Sequence, residues 1–395
     1  MNSERKIGLV LCWFALVFLF PNLGNADEFK LIPSLAVREE YNDNIFYTTN
    51  DTLDDFITTI LLGLELIEST ERLNLNLSAS IAPFFYADLS DLNDVDQNYR
   101  GGGNYQISTL LSFNAYALYD VSNRPDRDIL TSGVLQSNDK RKRLEYGFGF
   151  DYTLTEKAAM AISFAYLQDK WDSENLERQN LKDYRAGLNF THNLSEWWDS
   201  TTSRLNLGFE QYEFETSDTY NYFGTIGVQH WFSETVDLLV DLGLRYTDAT
   251  FFTPQLVENN NKTLGGVGQA TLQIRGELTR GSIRISHSIE PTSGVGRTNQ
   301  RSDVVLNFRR RFAERSVIAI TTGAYKNKAD PNEFSFIGID EDTFFIRPTI
   351  RWEFFTNFTL EAGYNFAYVY DHRQDIDTNR NLIYLQVAYG LPLFE

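Results

Sequence analysis

Cysteine is nearly missing from this chain. Its 395 residues include one, Cys12, inside a segment that reads as a cleaved leader. Arg5 and Lys6 give that leader a positive start, residues 7–20 an apolar run, and Gly24-Asn25-Ala26 small residues before a cut after Ala26. Leu11 precedes Cys12, which excludes lipid attachment there. The expected mature chain, residues 27–395, is one domain without disulfide, thiol nucleophile or thiolate metal site. Histidine is also scarce, with four residues. By alternation His192, His230 and His287 fall on apolar faces and His372 begins a loop. None stands beside an inward serine and acid, so no catalytic residue is expected, and no metal or cofactor either. Positive charge is in deficit, the net being −19, which excludes the basic surface that nucleic acid requires. After residue 20 there is no long unbroken apolar run. If the chain crosses a membrane, it does so as a closed barrel of strands, because every backbone group in lipid needs a partner.

What the chain has is alternation and aromatic residues, the latter 14% of the total. From Phe344 to Phe354, the residues Phe344, Ile346, Pro348, Ile350, Trp352 and Phe354 alternate with a set that is polar but for Phe345. Phe358, Leu360, Ala362, Tyr364, Phe366, Tyr368 and Tyr370 repeat the pattern, and Ile383, Leu385, Val387, Tyr389 and Leu391 repeat it again. A period of two means strand, with one apolar and one polar face. About ten residues per segment, with aromatics toward the ends, suit a tilted strand crossing a bilayer.

Eighteen such strands are expected, within a range of 16–20: near 29–47, 55–67, 72–86, 98–107, 110–120, 142–154, 158–169, 181–194, 201–214, 220–231, 236–248, 263–278, 282–290, 301–312, 316–327, 344–354, 358–370 and 380–391. Tight connections alternate with long polar ones. That rhythm predicts an all-β, transmembrane, antiparallel up-and-down barrel, with both termini periplasmic and the long loops outside. A soluble barrel this wide would have more interior than side chains can fill.

If the apolar faces meet lipid, the opposite faces line the lumen. They carry Arg38, Glu40, Asn74, Asn76, Ser78, Arg100, Asn104, Gln106, Arg143, Glu145, Asp151, Arg185, Asn189, Arg204, Glu210, Asp237, Asp241 and Arg245. Gln273, Arg275, Glu277, Arg284, Ser286, Glu290, Asn307, Arg309, Arg311, Arg347, Arg351, Glu353 and Glu361 follow. A wall of such mixed charge is tolerated cheaply only around water. Arg275, Arg284, Arg309, Arg311 and Arg351 gather near the tight turns. They read either as a basic patch for anionic solute or glycan, or as partners of Glu277, Glu290 and Glu353 across strands. The connection at 121–141 is long enough to fold inward and narrow the pore, or to lie in solvent. The acidic stretch 87–97, with Asp88, Asp91, Asp94 and Asp96, lacks the spacing of a calcium loop and reads as solvated charge.

The segment Val37-Arg38-Glu39-Glu40-Tyr41-Asn42-Asp43-Asn44-Ile45-Phe46 resembles the first-strand signature of the β-barrel porin 2 family of Gram-negative outer-membrane proteins, with Tyr41 inserted between acid and asparagine. The resemblance implies an outer-membrane channel linked to exopolysaccharide loci, serving as a passive conduit for exported polysaccharide. It also implies lipopolysaccharide, the barrel assembly machinery and periplasmic export components as partners. From the residues themselves, Glu40, Asn42, Asp43 and Asn44 read first as a strand-end device, since Asn and Asp bond their own backbone at turns. A general diffusion porin and a structural or adhesive barrel with a blocked lumen are the alternatives. The end of the chain departs from the usual terminal aromatic: Phe394 is penultimate and Glu395 last.

Overall fold

The computed structural model describes residues 28–124, 127–129, 139–172, 179–253, 255, 257–294 and 296–393. The expected leader and the last two residues lie outside them. Eighteen strands follow in order: β1 (Glu28–Asn42), β2 (Asp55–Ser69), β3 (Leu73–Tyr86), β4 (Asp94–Gln106), β5 (Leu111–Ser122) and β6 (Lys140–Thr155). Next come β7 (Ala158–Asp172), β8 (Leu181–Asn193), β9 (Thr201–Phe214), β10 (Ser217–Ser233), β11 (Val236–Phe252) and β12 (Glu258–Arg275). The last six are β13 (Thr279–Thr292), β14 (Arg297–Ala313), β15 (Ser316–Ala329), β16 (Ile339–Phe355), β17 (Phe358–Asp371) and β18 (Ile376–Gly390).

Each strand pairs antiparallel with its sequence neighbours, and β1 pairs with β18 from Ser34↔Gly390 to Asn42↔Leu382, which closes the sheet into a barrel. The expected polar positions share one face. Arg38 faces Thr59 and Gln386, Ser78 faces Arg100, and Arg351 faces Glu361 in register. The opposite face is apolar and exposed, as at Leu242, Leu244, Ile383 and Leu385. Rows of rings cross it: Tyr146, Tyr166 and Tyr184 stand 5.2 and 5.0 Å apart, and Phe148 and Phe164 stand 5.3 Å apart. A barrel that is apolar outside and polar inside is built to span a membrane.

One end carries the short turns. Four connections of two residues each (156–157, 234–235, 314–315 and 356–357) are preceded by a bulge, at Thr153/Thr155, Trp231/Ser233, Arg311/Ala313 and Glu353/Phe355. The extra residue adds the local twist that a tight hairpin needs. Asn357 takes φ +67 in the last of these, a conformation asparagine tolerates better than most residues.

Three expectations need correction. The turn read at Thr279-Arg280-Gly281 lies at residues 276–278, so Arg280 is a strand residue and Glu277 a turn residue. Gly281 misled because it mimics a turn signal while pairing with Phe308 in the sheet. Asp94 and Asp96 belong to β4 rather than to an acidic loop. The stretch 291–300, read as loop, is mostly hairpin, the connection being only 293–296.

That hairpin alters the wall. Pairing of β12 with β13 runs from Arg275↔Arg280 only to Gly268↔His287. Above this, residues 258–267 of β12 pair with β11 alone, and the tip of β13–β14 turns into the lumen. Ile289, outward by alternation, is 1% exposed, and the Tyr212 hydroxyl of β9 donates to its carbonyl at 3.2 Å. The Thr298 hydroxyl reaches that of Thr219 on β10 at 3.2 Å. Ser293 donates to Asp169 on β7 at 2.5 Å. Pro291 has no N–H for a continued ladder.

Candidate functional site: a lumen narrowed from within

The long-loop half of the lumen is occupied by the chain itself. Arg124, at the start of the β5–β6 connection, places Nη1 2.6 Å from Oε1 of Glu40 on β1 and stands 3.8 Å from Asp96. Its guanidinium also lies 5.2 Å over the Phe84 ring. Further along, Asp128 receives Arg141 at 2.5 Å. Ile129 is buried with Tyr47 of the β1–β2 connection against Val305, Tyr325, Phe345, Ala367 and Val369 on β14–β17. Residues 123–124 and 127–129 of this connection thus run from β5 to the opposite wall and lie inside the lumen rather than in solvent, while 125–126 and 130–138 are outside the described residues. A third inward segment, residues 330–338 between β15 and β16, buries Phe334 among Leu181, Tyr212, Phe214, Ala249, Ile289 and Ile339.

The first-strand motif anchors this arrangement. Glu40 is 1% exposed and bridges Arg38, at 3.0 Å, and Arg124. Asp43 accepts the backbone N–H and the side-chain amide of Asn381, both at 2.7 Å. The Asn44 side chain donates to the carbonyls of Thr48 and Asn379 at 2.8 and 2.9 Å and accepts from the Thr48 N–H. Asn42 accepts the Asn44 N–H at 3.1 Å. Thus Asp43 and Asn44 tie the end of β1 to β18 at the closure of the barrel, while Glu40 holds the loop that narrows it.

The short-turn half is basic. A cavity of about 1330 Å³ is lined there by Arg275, Arg280, Arg284, Arg309, Glu277 and Asn307, among others. Arg280 stands directly opposite both Arg275 and Arg309 in register. Like charges paired across strands repel, so this row of three arginines is not explained by sheet stability. Asp237 compensates Arg275 at 3.1 Å, and Asp303 compensates Arg284 at 3.3 Å. The guanidinium groups of Arg280 and Arg309 have no ion pair or hydrogen bond among the described residues. Arg311 and Arg351 face the lumen nearby but do not line this cavity, and Arg351 pairs with Glu361 at 2.6 Å. The carboxylates that pair with this patch are therefore Asp237, Asp303 and Glu361, not the expected Glu277, Glu290 and Glu353. Arg280 was hidden by the misplaced turn; running the alternation Arg284, Ser282 back by two residues finds it.

No protein-family model matches the chain, and no curated relative does. Solved structures that resemble it include OpdO of Pseudomonas aeruginosa, at 14% identity over 93% of this chain and 98% of that one, with a TM-score of 0.46. OccK2 (OpdF) of the same organism is 11% identical over 94% and 100% of the two chains, TM-score 0.48. OpdK of that organism, solved with vanillate, is 12% identical over 93% and 100%, TM-score 0.48. At these values the functional reading rests on this chain's own geometry.

Proposed function

We propose that this chain is an integral channel of the bacterial outer membrane that passes small polar solutes, anions before cations. The observation that carries the reading is the inward β5–β6 connection, held to Glu40 by Arg124 and packed on the far wall through Ile129. A lumen with Arg124 and Ile129 lodged against opposite walls suits a small solute and opposes a long polymer. Arg280 and Arg309, beside the compensated Arg275, support the charge preference, because a cavity with uncompensated cations concentrates anions. Transport is passive, and lipopolysaccharide and the barrel assembly machinery are the partners such a barrel meets.

A second reading, an export conduit for polysaccharide served by periplasmic partners, is favoured by the resemblance of residues 37–46 to the porin 2 signature. It requires the same barrel with its loops withdrawn. Single-channel conductance in planar bilayers, with polyethylene glycols of graded size, separates the two. Block by small polymers and a reversal potential favouring anions are expected. A large conductance blocked only by big polymers would establish the conduit, and none from a folded barrel would leave a structural one.

A further inference from the structure

The wall has a side window. Where β12 loses β13, above Gly268, alternate N–H and C=O groups of residues 258–267 point to an edge that no strand among the described residues covers. The window begins inside the apolar outer band. Gly268 stands in register with Leu242, Gly266 with Leu244, and Leu264 with Tyr246, and Leu264 is 74% exposed. Unpaired backbone at that depth persists only beside protein or a water-lined passage. What stands in the window is the β15–β16 connection: the Asn261 amide donates to the Glu333 and Asn332 carbonyls at 3.0 and 3.5 Å, while Phe336 and Ile337 are exposed.

Directly behind the window is a buried cation, which Glu333 of that connection faces from beyond ion-pair distance. Arg245 is 3% exposed and has no carboxylate within ion-pair distance among the described residues. It donates to the Thr247 and Thr263 hydroxyls at 2.9 and 3.4 Å, and its Nε has no hydrogen-bond partner among the described residues. Gly265, on the free edge of β12, makes room for it: a Cβ there would lie 2.7 Å from Nη2. The Phe334 ring, 6.0 Å from the guanidinium, fills the adjoining apolar pocket. A buried cation beside a ring-filled apolar pocket, behind a wall that lacks one strand pairing, is a site with two chemistries.

We propose that this is a lateral binding site for an amphipathic anion, an acyl or aryl chain with one acidic head. Arg245 takes the acid and the Phe334 pocket takes the chain, and the ligand passes between β12 and β13 to the outer leaflet. Phe334 is the stopper that the chain itself supplies.

The test uses the folded barrel in liposomes and dansyl-undecanoate, whose fluorescence rises on leaving water. Phe334→Ala is expected to bind the probe about tenfold more tightly than the unaltered chain, the factor for vacating a ring-sized apolar pocket. Arg245→Gln in that background removes the gain. Asn261→Cys with Glu333→Cys, also in that background, ties the connection to β12 when oxidised. Neither mouth of the barrel is shut by that bond, so slow probe entry when oxidised and fast entry when reduced identifies the side route. Heat-modifiable gel mobility confirms that each variant is folded. Equal binding by Phe334→Ala and the unaltered chain, or entry that ignores the disulfide, overturns the proposal. Ion conductance, read separately, tells that failure from failure of the channel.

Discussion

Arg124 carries the β5–β6 connection to the first strand, where its Nη1 lies 2.6 Å from a Glu40 carboxylate that is itself shut away from water. The two are 84 residues apart in sequence. A carboxylate so buried is tolerable because two guanidinium groups, of Arg38 and Arg124, neutralise it.

Replacing Glu40 with Ala should release the loop, taking from Arg38 its carboxylate and from Arg124 the nearer of its two. The expected outcome is a larger single-channel conductance together with a loss of about 3–5 kcal/mol of stability. Arg124→Ala should widen the channel in the same way. The double variant should be no wider than either single one, since both cut one tether. Unchanged conductance in both would show that the loop is held by Ile129 and its neighbours alone.

Charge reversal at Arg280 or Arg309 should move the reversal potential toward cations, and both together further. Arg351→Glu, outside the cavity, should move it less. Raising salt should shrink all three effects, because a screening length of about 3 Å at 1 M isolates the row from a passing ion. The reading is a bi-ionic potential, and equal shifts at all three positions would remove the cavity as the selective element.

Asp43→Ala removes two side-chain links to β18, and Asn44→Ala removes one to β18 and two within the turn beside it. A loss of about 1–3 kcal/mol each is expected, read as a lower midpoint for the heat-modifiable shift in gel mobility. The β1–β18 seam is where a barrel closes, so refolding yield should fall as well. Variants as heat-resistant as the parent would count against a closure role for the motif.

Backbone amides at residues 258–267 should exchange with deuterium faster than those at 269–275 of the same strand. The lower stretch has β13 beside it and the upper stretch does not. Equal protection along β12 would mean that the window is filled by a regular strand pairing.

Alternation along each strand determined, from sequence alone, the barrel, its eighteen strands and the inward position of Arg275, Arg284, Arg309, Arg311 and Arg351, because a period of two is written in adjacent residues and needs no knowledge of distant ones. Two errors in that reading, at Arg280 and at residues 291–300, share a cause: Gly281 and Pro291 are turn-forming residues that the sheet accommodates inside strands. Only the tertiary structure decided which carboxylate meets which cation. Arg275 pairs with Asp237 and Arg351 with Glu361 because side chains meet by register across neighbouring strands, not by nearness in sequence. The inward loop, the buried Glu40 and the window beside Arg245 also belong to the closed barrel. Each joins segments tens of residues or more apart, and a local pattern holds no record of what lies across the lumen.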